Sequence, residues 1–134
     1  MKRILLAALT VACTLIPATA NADVQELTID AQVQIIDGDS VRISGTITCD
    51  IGERYRVGTQ SFTTSSGTQA RRGPFVADAC TGSPQIWRTV AERATDPAFA
   101  PGDTATITAL GQTGAPGDNS PNDSLQVSQE VTLQ

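Results

Sequence analysis

The chain has 134 residues, contains no histidine, and carries nine basic against fourteen acidic side chains, for a formal net charge of −5. The lack of histidine excludes Ser-His-Asp and Cys-His catalytic groups and every zinc or copper site that uses histidine. The negative charge argues against binding of nucleic acid or of an anionic membrane through a general electrostatic field.

The beginning of the chain has the features of a secretory signal peptide. Two basic residues precede an apolar run over 4–16, and Ala-Asn-Ala at 20–22 matches a small-x-small cleavage site. The run of about 13 residues is well short of the roughly 20 that a membrane-spanning helix needs. We therefore expect residues 1–22 to be removed and the mature chain, 23–134, to be secreted without a membrane span.

The predicted mature chain is long enough for a single domain that buries roughly two-thirds of the surface its unfolded chain exposes. It keeps seven arginines and all fourteen acidic residues, a net charge of −7 that favours solubility outside the cell. A lipoprotein cleaved before Cys13 is an alternative, although Thr10 stands where such sites usually have an aliphatic residue. We expect the mature protein to be a monomer.

Alternation of apolar and polar side chains with a period of two predicts β-strands in this chain. The first strand covers 27–35 and the second covers 41–49. Between them stands Asp37-Gly38, a dipeptide that supplies the positive φ angles of a tight hairpin turn. The two strands are therefore predicted to form a hairpin.

Further strands follow with less regular patterns. One covers 54–64, where Gly58 marks a bulge at which the buried face changes. A short strand over 69–72 ends before Pro74, since proline cannot continue a central ladder. Residues 86–93 contain the single tryptophan, and their strand pattern also permits a helix.

Two strands complete the chain, at 104–110 and 125–133. The turn-forming residues of 111–124 predict a long exposed loop between them. About seven short strands separated by turns are typical of an all-β, antiparallel immunoglobulin-like β-sandwich. We predict this fold, with the mature chain as one domain.

The predicted mature chain contains two cysteines, Cys49 and Cys80, an even number in a secreted protein. Such a pair favours a disulfide bond, which here would close a loop of about 32 residues and stabilise the fold by roughly 3.5 kcal/mol. A nucleophilic or metal-binding thiolate needs a partner that lowers its pKa, usually histidine. Because the chain has no histidine, we predict the Cys49–Cys80 disulfide.

Oxygen-rich turns are the candidates for a calcium site, because calcium prefers oxygen ligands. They contain Asp37, Asp39 and Ser40 in one turn, and Asp118, Asn119, Ser120, Asn122 and Asp123 in another. Neither has the twelve-residue calcium-loop pattern with its closing Glu, and turns favour these residues for backbone reasons alone.

A catalytic pair of carboxylates is a further possibility, but the acidic residues stand mainly at turns or at outward-facing strand positions. We therefore predict no cofactor, no metal site and no enzymatic activity.

The basic residues concentrate in one region beside an aromatic side chain, and comprise Arg54, Arg56, Arg71 and Arg72 with Phe75. Such a group could bind an anion, but we expect these arginines to pair with nearby carboxylates on an exposed sheet face.

Trp87 could be a ligand platform, but in immunoglobulin-type sandwiches a tryptophan is more often a core residue. We expect Trp87 in the core.

Three motifs of the chain resemble, in their sequence and order, motifs of a group of known proteins. VRISGTITC at 41–49, C-x-G-x-x-x-x-W at 80–87 and F-x-P-G-D-T-A at 99–105 resemble a group of small exported proteins from actinobacteria. The resemblance covers most of the predicted mature chain, and it implies an immunoglobulin-like sandwich with one disulfide, no assigned activity and no known binding residues. A looser similarity links the chain to secreted chromoprotein carriers, which differ in having two disulfides.

These observations predict a secreted, non-catalytic binding or interaction module outside the cell or at its wall, since sandwich folds often bind through their end loops. Its partner is an extracellular protein, a cell-wall component or a small ligand. Two alternatives stay open. A small-molecule carrier needs an apolar cleft of several hundred Å³, and a carboxylate-dependent hydrolase needs two acids about 5 to 10 Å apart across a groove.

Overall fold

The structure is a computed structural model that describes residues 24–116 and 123–134. Over these ranges the chain is all-β, as predicted, with eight strands, one more than expected, and no helix. The strands are β1 (Val24–Leu27), β2 (Gln32–Asp37), β3 (Ser40–Cys49), β4 (Arg54–Thr64), β5 (Val76–Ala79), β6 (Gln85–Glu92), β7 (Thr104–Gly114) and β8 (Asp123–Leu133). The predicted signal peptide, 1–22, lies outside the described residues. A helix long and apolar enough to cross a membrane is absent from both described ranges.

The strands form two groups that share β2. In the first group β3 is central, with β6 along one edge and with β1 and β2 at opposite ends of the other edge. In the second group the order is β5-β4-β7-β8, with antiparallel pairing throughout. β2 also pairs with the end of β8, and this pair is parallel, unlike the all-antiparallel prediction. The resulting sheet is not closed.

The single first strand predicted over 27–35 is two strands in the structure. The chain follows β3 as far as Asp30, whose backbone N–H donates to the Ser44 carbonyl at 2.8 Å. From Ala31 onwards it pairs with β8, because the Ala31 carbonyl accepts from the Thr132 N–H at 2.8 Å. Alternation cannot predict this change of partner, since the chain buries alternate side chains before and after it.

The two groups of strands pack against each other through their apolar sides. Gly111 of β7 lies close to the first group, because a Cβ built on it would lie 3.1 Å from Leu27 Cδ2 and 3.4 Å from Ile47 Cδ1. The largest fully buried side chains include Val33, Val41, Ile43, Ile47, Val57, Trp87, Ile107, Val131 and Leu133. The immunoglobulin-like type of this arrangement stays a prediction.

Trp87 of β6 is buried in this core, with 1% of its surface exposed, as predicted. It stands directly across from Gly45 of β3. Its indole Nε1 donates a hydrogen bond of 3.1 Å to the carbonyl oxygen of Thr28. The buried indole nitrogen therefore has a partner, which removes the cost of burying an unpaired polar group.

The predicted hairpin joins β2 to β3, but its turn does not use positive φ angles. Positive φ angles in the described ranges occur at Gly52, Gly67, Gly82 and Gly102. The turn is held instead by the Asp37 carboxylate, whose Oδ1 accepts from the Asp39 N–H and the Ser40 hydroxyl, both at 2.9 Å. The prediction of a hairpin is confirmed, and its predicted backbone geometry is wrong, because an aspartate side chain can itself complete a turn.

The structure changes two predictions in the middle of the chain. The buried face of β4 switches as predicted, but the irregular pairing lies between Thr59 and Ser61, just after Gly58. The strand predicted over 69–72 is wrong, because only isolated bridges form there. A strand that was not predicted, β5, follows Pro74 and pairs with the first half of β4.

The last three strands are close to their predictions. β6 confirms the strand over 86–93 and excludes the helical alternative. β7 runs to Gly114, so the loop predicted to begin at 111 begins later. Residues 117–122 of that loop lie outside the described residues, and β8 confirms the final strand.

Candidate functional site

Cys49 and Cys80 form the predicted disulfide bond. Their sulfur atoms are 2.06 Å apart and their Cα atoms 5.4 Å apart, and both side chains are buried. Cys49 ends β3, whereas Cys80 lies in the segment that leads from β5 to β6. The bond therefore ties the first strand group to the segment that enters it from the second group, and neither sulfur is free to act as a nucleophile.

The acidic turn at 37–40 borders an open groove of about 590 Å³. Four carboxylates and two guanidinium groups are among the groove's lining residues, which are Asp37, Asp39, Ser40, Arg71, Glu92, Arg93, Ala94, Thr95 and Asp96. Arg93 forms ion pairs with Asp39, at 2.6 Å, and with Asp96. The groove is therefore acidic overall, and two of its four carboxylates are already paired.

Hydrogen bonds within the turn make the Asp37 carboxylate of this groove more acidic. The hydrogen bond from the Asp39 N–H, and then the one from the Ser40 hydroxyl, lower the pKa of Asp37 below its ordinary value. A general acid requires the opposite change, a raised pKa. The groove thus offers no observation in favour of the hydrolase alternative.

The oxygen-rich turns do not gather ligands around one point in the described part of the chain. Within 24–116 and 123–134, no three or more Asp, Glu, Cys or His side chains form a group that could hold a metal ion. Most of the second turn, 118–122, lies outside these ranges, and its last residue, Asp123, accepts a hydrogen bond of 3.2 Å from the Val24 N–H. No observation here favours calcium binding.

A second open groove, of about 480 Å³, lies beside the parallel β2–β8 pair. Its lining is mainly polar and consists of Gln32, Val33, Gln34, Arg42, Ser44 and Gln134. The small-molecule carrier requires an apolar cleft between the strand groups. Neither groove has that character, so neither observation favours a carrier.

The outer side of β4 carries two of the four arginines that the sequence singles out. Arg54 and Arg56 are two residues apart on the strand, and both are exposed. Cross-strand register places Gln112 opposite Arg56, and Leu110 opposite Gly58. We use the name arginine face for the outward side chains of Arg54, Arg56, Phe75, Leu110, Gln112 and Gln126.

Phe75 lies on top of β4 at Gly58. A Cβ built on Gly58 would lie 2.9 Å from two carbon atoms of the Phe75 ring, so the ring occupies the space that any other side chain would need. The guanidinium carbon of Arg56 lies 4.7 Å from the centre of the same ring. This distance is that of a cation–π contact, which fixes the position of the guanidinium group at an exposed site.

The rows of paired residues that cross β4, β7 and β8 at Arg56 and at Gly58 contain no carboxylate, whereas Glu130 lies further along the same side, in the row of Thr63 and Thr106. The row of Arg56 continues through Gln112 to Ser124, and the row of Gly58 continues through Leu110 to Gln126. The next row pairs Ser61 with Thr108 and Ser128, whose hydroxyl oxygens are 2.8 Å apart. The face therefore combines two cations with amide and hydroxyl groups in a chain of negative net charge.

The expected pairing of the four arginines with carboxylates is not found in the described part of the structure. The ion pairs present there both involve Arg93. Arg56 contacts Phe75 instead, and Arg71 lines the acidic groove, away from Arg54 and Arg56. The basic region that looked continuous in the sequence is thus divided between two surfaces.

Sequence reasoning missed the contact between Phe75 and Gly58. Gly58 was interpreted as a bulge because it interrupts a strand, although a glycine within a strand also permits close approach of another group. The register that brings Phe75 over Gly58 depends on β5, which the sequence did not predict. The sequence places Phe75 directly after Gly73-Pro74, but this position does not indicate which strand the Phe75 ring covers.

Comparison of the chain with protein-family models, with curated proteins and with solved structures finds no match. The function therefore has to be inferred from the chain's own geometry.

Proposed function

We propose that this chain is an exported, non-catalytic binding module that holds its partner on the arginine face. The contact of Arg56 with Phe75 carries the proposal, because it fixes a cation on an exposed surface without a carboxylate partner in its row. Fixing a side chain before binding lowers the entropy cost of association. Arginines and aromatic residues are also the side chains that most often dominate binding energy at interfaces.

Export is supported by two features of the chain. The segment 1–22 has the composition of a signal peptide, and disulfides such as Cys49–Cys80 persist mainly in oxidising compartments outside the cytosol. The proposed location is the extracellular space or the cell wall. The resemblance of the three sequence motifs to a group of small exported actinobacterial proteins agrees with this proposed location.

A non-catalytic role is supported by how the reactive groups are used. The two cysteines of the predicted mature chain are joined to each other, and Asp39 pairs with Arg93. The remaining distinctive surface, the arginine face, has donors for hydrogen bonds but no nucleophile supported by a base.

The proposal is tested by recovery of partners from the producing culture, including wall fractions and small-molecule extracts. Three proteins are compared, namely the unchanged chain, the double variant R54Q/R56Q, and the control R42Q/R88Q, which removes two exposed arginines from β3 and β6. Fluorescence of the buried, single Trp87 verifies that each variant is folded.

We expect the unchanged chain and the control to recover the same partner, and R54Q/R56Q to lose it. Equal recovery by R54Q/R56Q would place the binding surface elsewhere and overturn the proposal. If none of the three proteins recovers anything reproducibly, the binding role itself is rejected.

A further inference from the structure

The arginine face presents two guanidinium groups at a defined spacing. Arg54 and Arg56 stand on the same side of β4, so their Cα atoms are separated by about 7 Å along the strand. In the described part of the chain, side-chain hydrogen bonds from arginine belong to Arg42 and Arg93. The guanidinium groups of Arg54 and Arg56 therefore donate no side-chain hydrogen bond to any described residue. The planar guanidinium group has the geometry to bind a carboxylate, phosphate or sulfate group.

The rest of the face favours hydroxyl-bearing ligands over a protein surface. Its outward residues are mainly amides and hydroxyls, such as Gln112, Gln126 and Ser128. Its large apolar side chains are Phe75 and the half-buried Leu110, beside the small Ala77 and Ala79 that pair with Arg56 and Arg54. Protein partners usually require a larger apolar centre. Amide side chains can donate and accept at the same time, which suits the hydroxyl groups of sugars.

The chain's net charge restricts where an anionic polymer can bind. Because acidic residues outnumber basic ones, the chain as a whole repels a polyanion, and the groove at 37–40 contains four carboxylates and two guanidinium groups. The rows of Arg56 and Gly58 lack carboxylates. Local charge complementarity thus makes this face suitable for an anionic ligand. The contact of Arg56 with Phe75 distinguishes it from the outward arginines of β3 and β6, Arg42 and Arg88.

We propose that the partner on the arginine face is an anionic polysaccharide, a chain of sugars that carry acidic groups at intervals. This inference rests on the proposed function and names its ligand class. The acidic groups bind the guanidinium groups of Arg54 and Arg56, while Gln112 and Gln126 bind sugar hydroxyls. Phe75 keeps the Arg56 guanidinium in position and is a positioning residue.

The test measures binding of the full, oxidised chain to four defined polymers, and no ligand from the source is needed. Polygalacturonate carries carboxylates on sugars, dextran sulfate carries sulfates on sugars, dextran is neutral, and poly-L-glutamate carries carboxylates on a polypeptide. Affinity electrophoresis gives the dissociation constants, and amide chemical shifts of Gly58 and Gln112 locate the bound polymer.

We expect polygalacturonate or dextran sulfate to bind with shifts at Gly58 and Gln112, and dextran to bind at least about tenfold more weakly. R54Q/R56Q should weaken the binding by at least about tenfold, the loss expected for two charged hydrogen-bonding groups. R42Q/R88Q should bind as the unchanged chain does. Phe75→Leu, which keeps every charge, should weaken binding several-fold if the ring positions Arg56.

Each contrary result has a separate meaning. Poly-L-glutamate bound as tightly as polygalacturonate, with the same loss in R54Q/R56Q, would reject the polysaccharide while the binding role of the face stands. Failure of both acidic sugar polymers to bind, with a partner recovered from the culture through Arg54 and Arg56, would also reject the ligand class alone. Unchanged binding by Phe75→Leu would reject the positioning role of Phe75.

Discussion

Trp87 and Gly45 are direct cross-strand partners, and the glycine makes the position of the indole possible. A Cβ on Gly45 would lie 1.9 Å from the Thr28 carbonyl oxygen and 2.9 Å from Trp87 Cε2. The same oxygen accepts the hydrogen bond from Trp87 Nε1. One missing side chain on β3 thus accommodates both the indole and the backbone that binds it.

Gly45→Ala is expected to destabilise the fold by at least about 2 kcal/mol, because backbone atoms of Thr28 would have to move and overpacking in a rigid core is costly. Urea unfolding followed by fluorescence of the single Trp87 measures the change. Ser44→Ala, at the neighbouring position of β3, serves as the control and should change stability by less than about 0.5 kcal/mol. Equal stability of Gly45→Ala and the unchanged chain would contradict this account.

The disulfide is expected to contribute roughly 3.5 kcal/mol through the loop of about 32 residues that it closes. The double variant C49A/C80A should lose a similar amount in urea unfolding, and reduction of the unchanged chain should have the same effect. Reduction of C49A/C80A itself should leave its stability unchanged. If intact mass after alkylation showed that Cys49 and Cys80 both react without prior reduction, the bond would be absent in solution.

Tyr55, the only tyrosine of the chain, gives a direct test of burial. Desolvation, followed by the charge of Asp78, raises the pKa of Tyr55 above its ordinary 10.0. The unfolded chain therefore loses this proton first, so the free energy of unfolding should fall as the pH rises above 10.0. Titration of the tyrosinate absorbance reports the single group.

Asp78→Asn should lower the pKa of Tyr55 towards 10.0 without reaching it, because burial is the larger cause and remains. Asp30→Asn, which removes an exposed carboxylate whose position is not among the causes of the shift, should leave the titration unchanged. A Tyr55 titration that Asp78→Asn fails to move would mean that Asp78 is not close enough to act.

Ser40→Ala should raise the pKa of Asp37 towards its ordinary 3.8 but not fully, since the Asp39 N–H, the first cause of the shift, is retained. In the unchanged chain, Asp37 contributes stability that is present above about pH 4 and is lost as the pH falls through its lowered folded value. Carboxyl chemical shifts measured against pH would show the change. Identical Asp37 titrations in Ser40→Ala and the unchanged chain would exclude a hydrogen bond from the Ser40 hydroxyl.

Local patterns predicted most of the fold. Alternation identified β3, β7 and β8 because each buries alternate side chains in one core, and the two cysteines of the predicted mature chain identified the Cys49–Cys80 bond. Alternation could not divide the first predicted strand, because the division at Ala31 is a change of hydrogen-bond partner. Ala31 itself is exposed there, although Ile29 before it and Val33 after it are both buried. β5 was missed because its four residues are largely exposed and have no apolar repeat.

The candidate site was only partly predictable. The sequence singled out Arg54 and Arg56 together with Phe75, but not the contact that joins them, since this contact depends on the pairing of β5 with β4. It also grouped Arg71 with them, although the chain turns away from β4 near Ala70, which forms a bridge with Arg93 beyond the end of β6. Arg71 and Phe75 are close in the sequence but lie on different surfaces, because the chain passes from the end of β6 to β4 between them. Only the tertiary structure shows this change of strand.

The parallel pairing of β2 with β8 has a mechanical consequence. Hydrogen bonds join Thr132 to Ala31, Gln134 to Val33, and Ile35 back to Gln134. A force applied between the start of β2 and the end of β8 acts along these parallel strands, so it loads the hydrogen bonds together in shear and does not break them one by one. We therefore expect the domain to resist stretching more strongly than its thermodynamic stability alone would suggest.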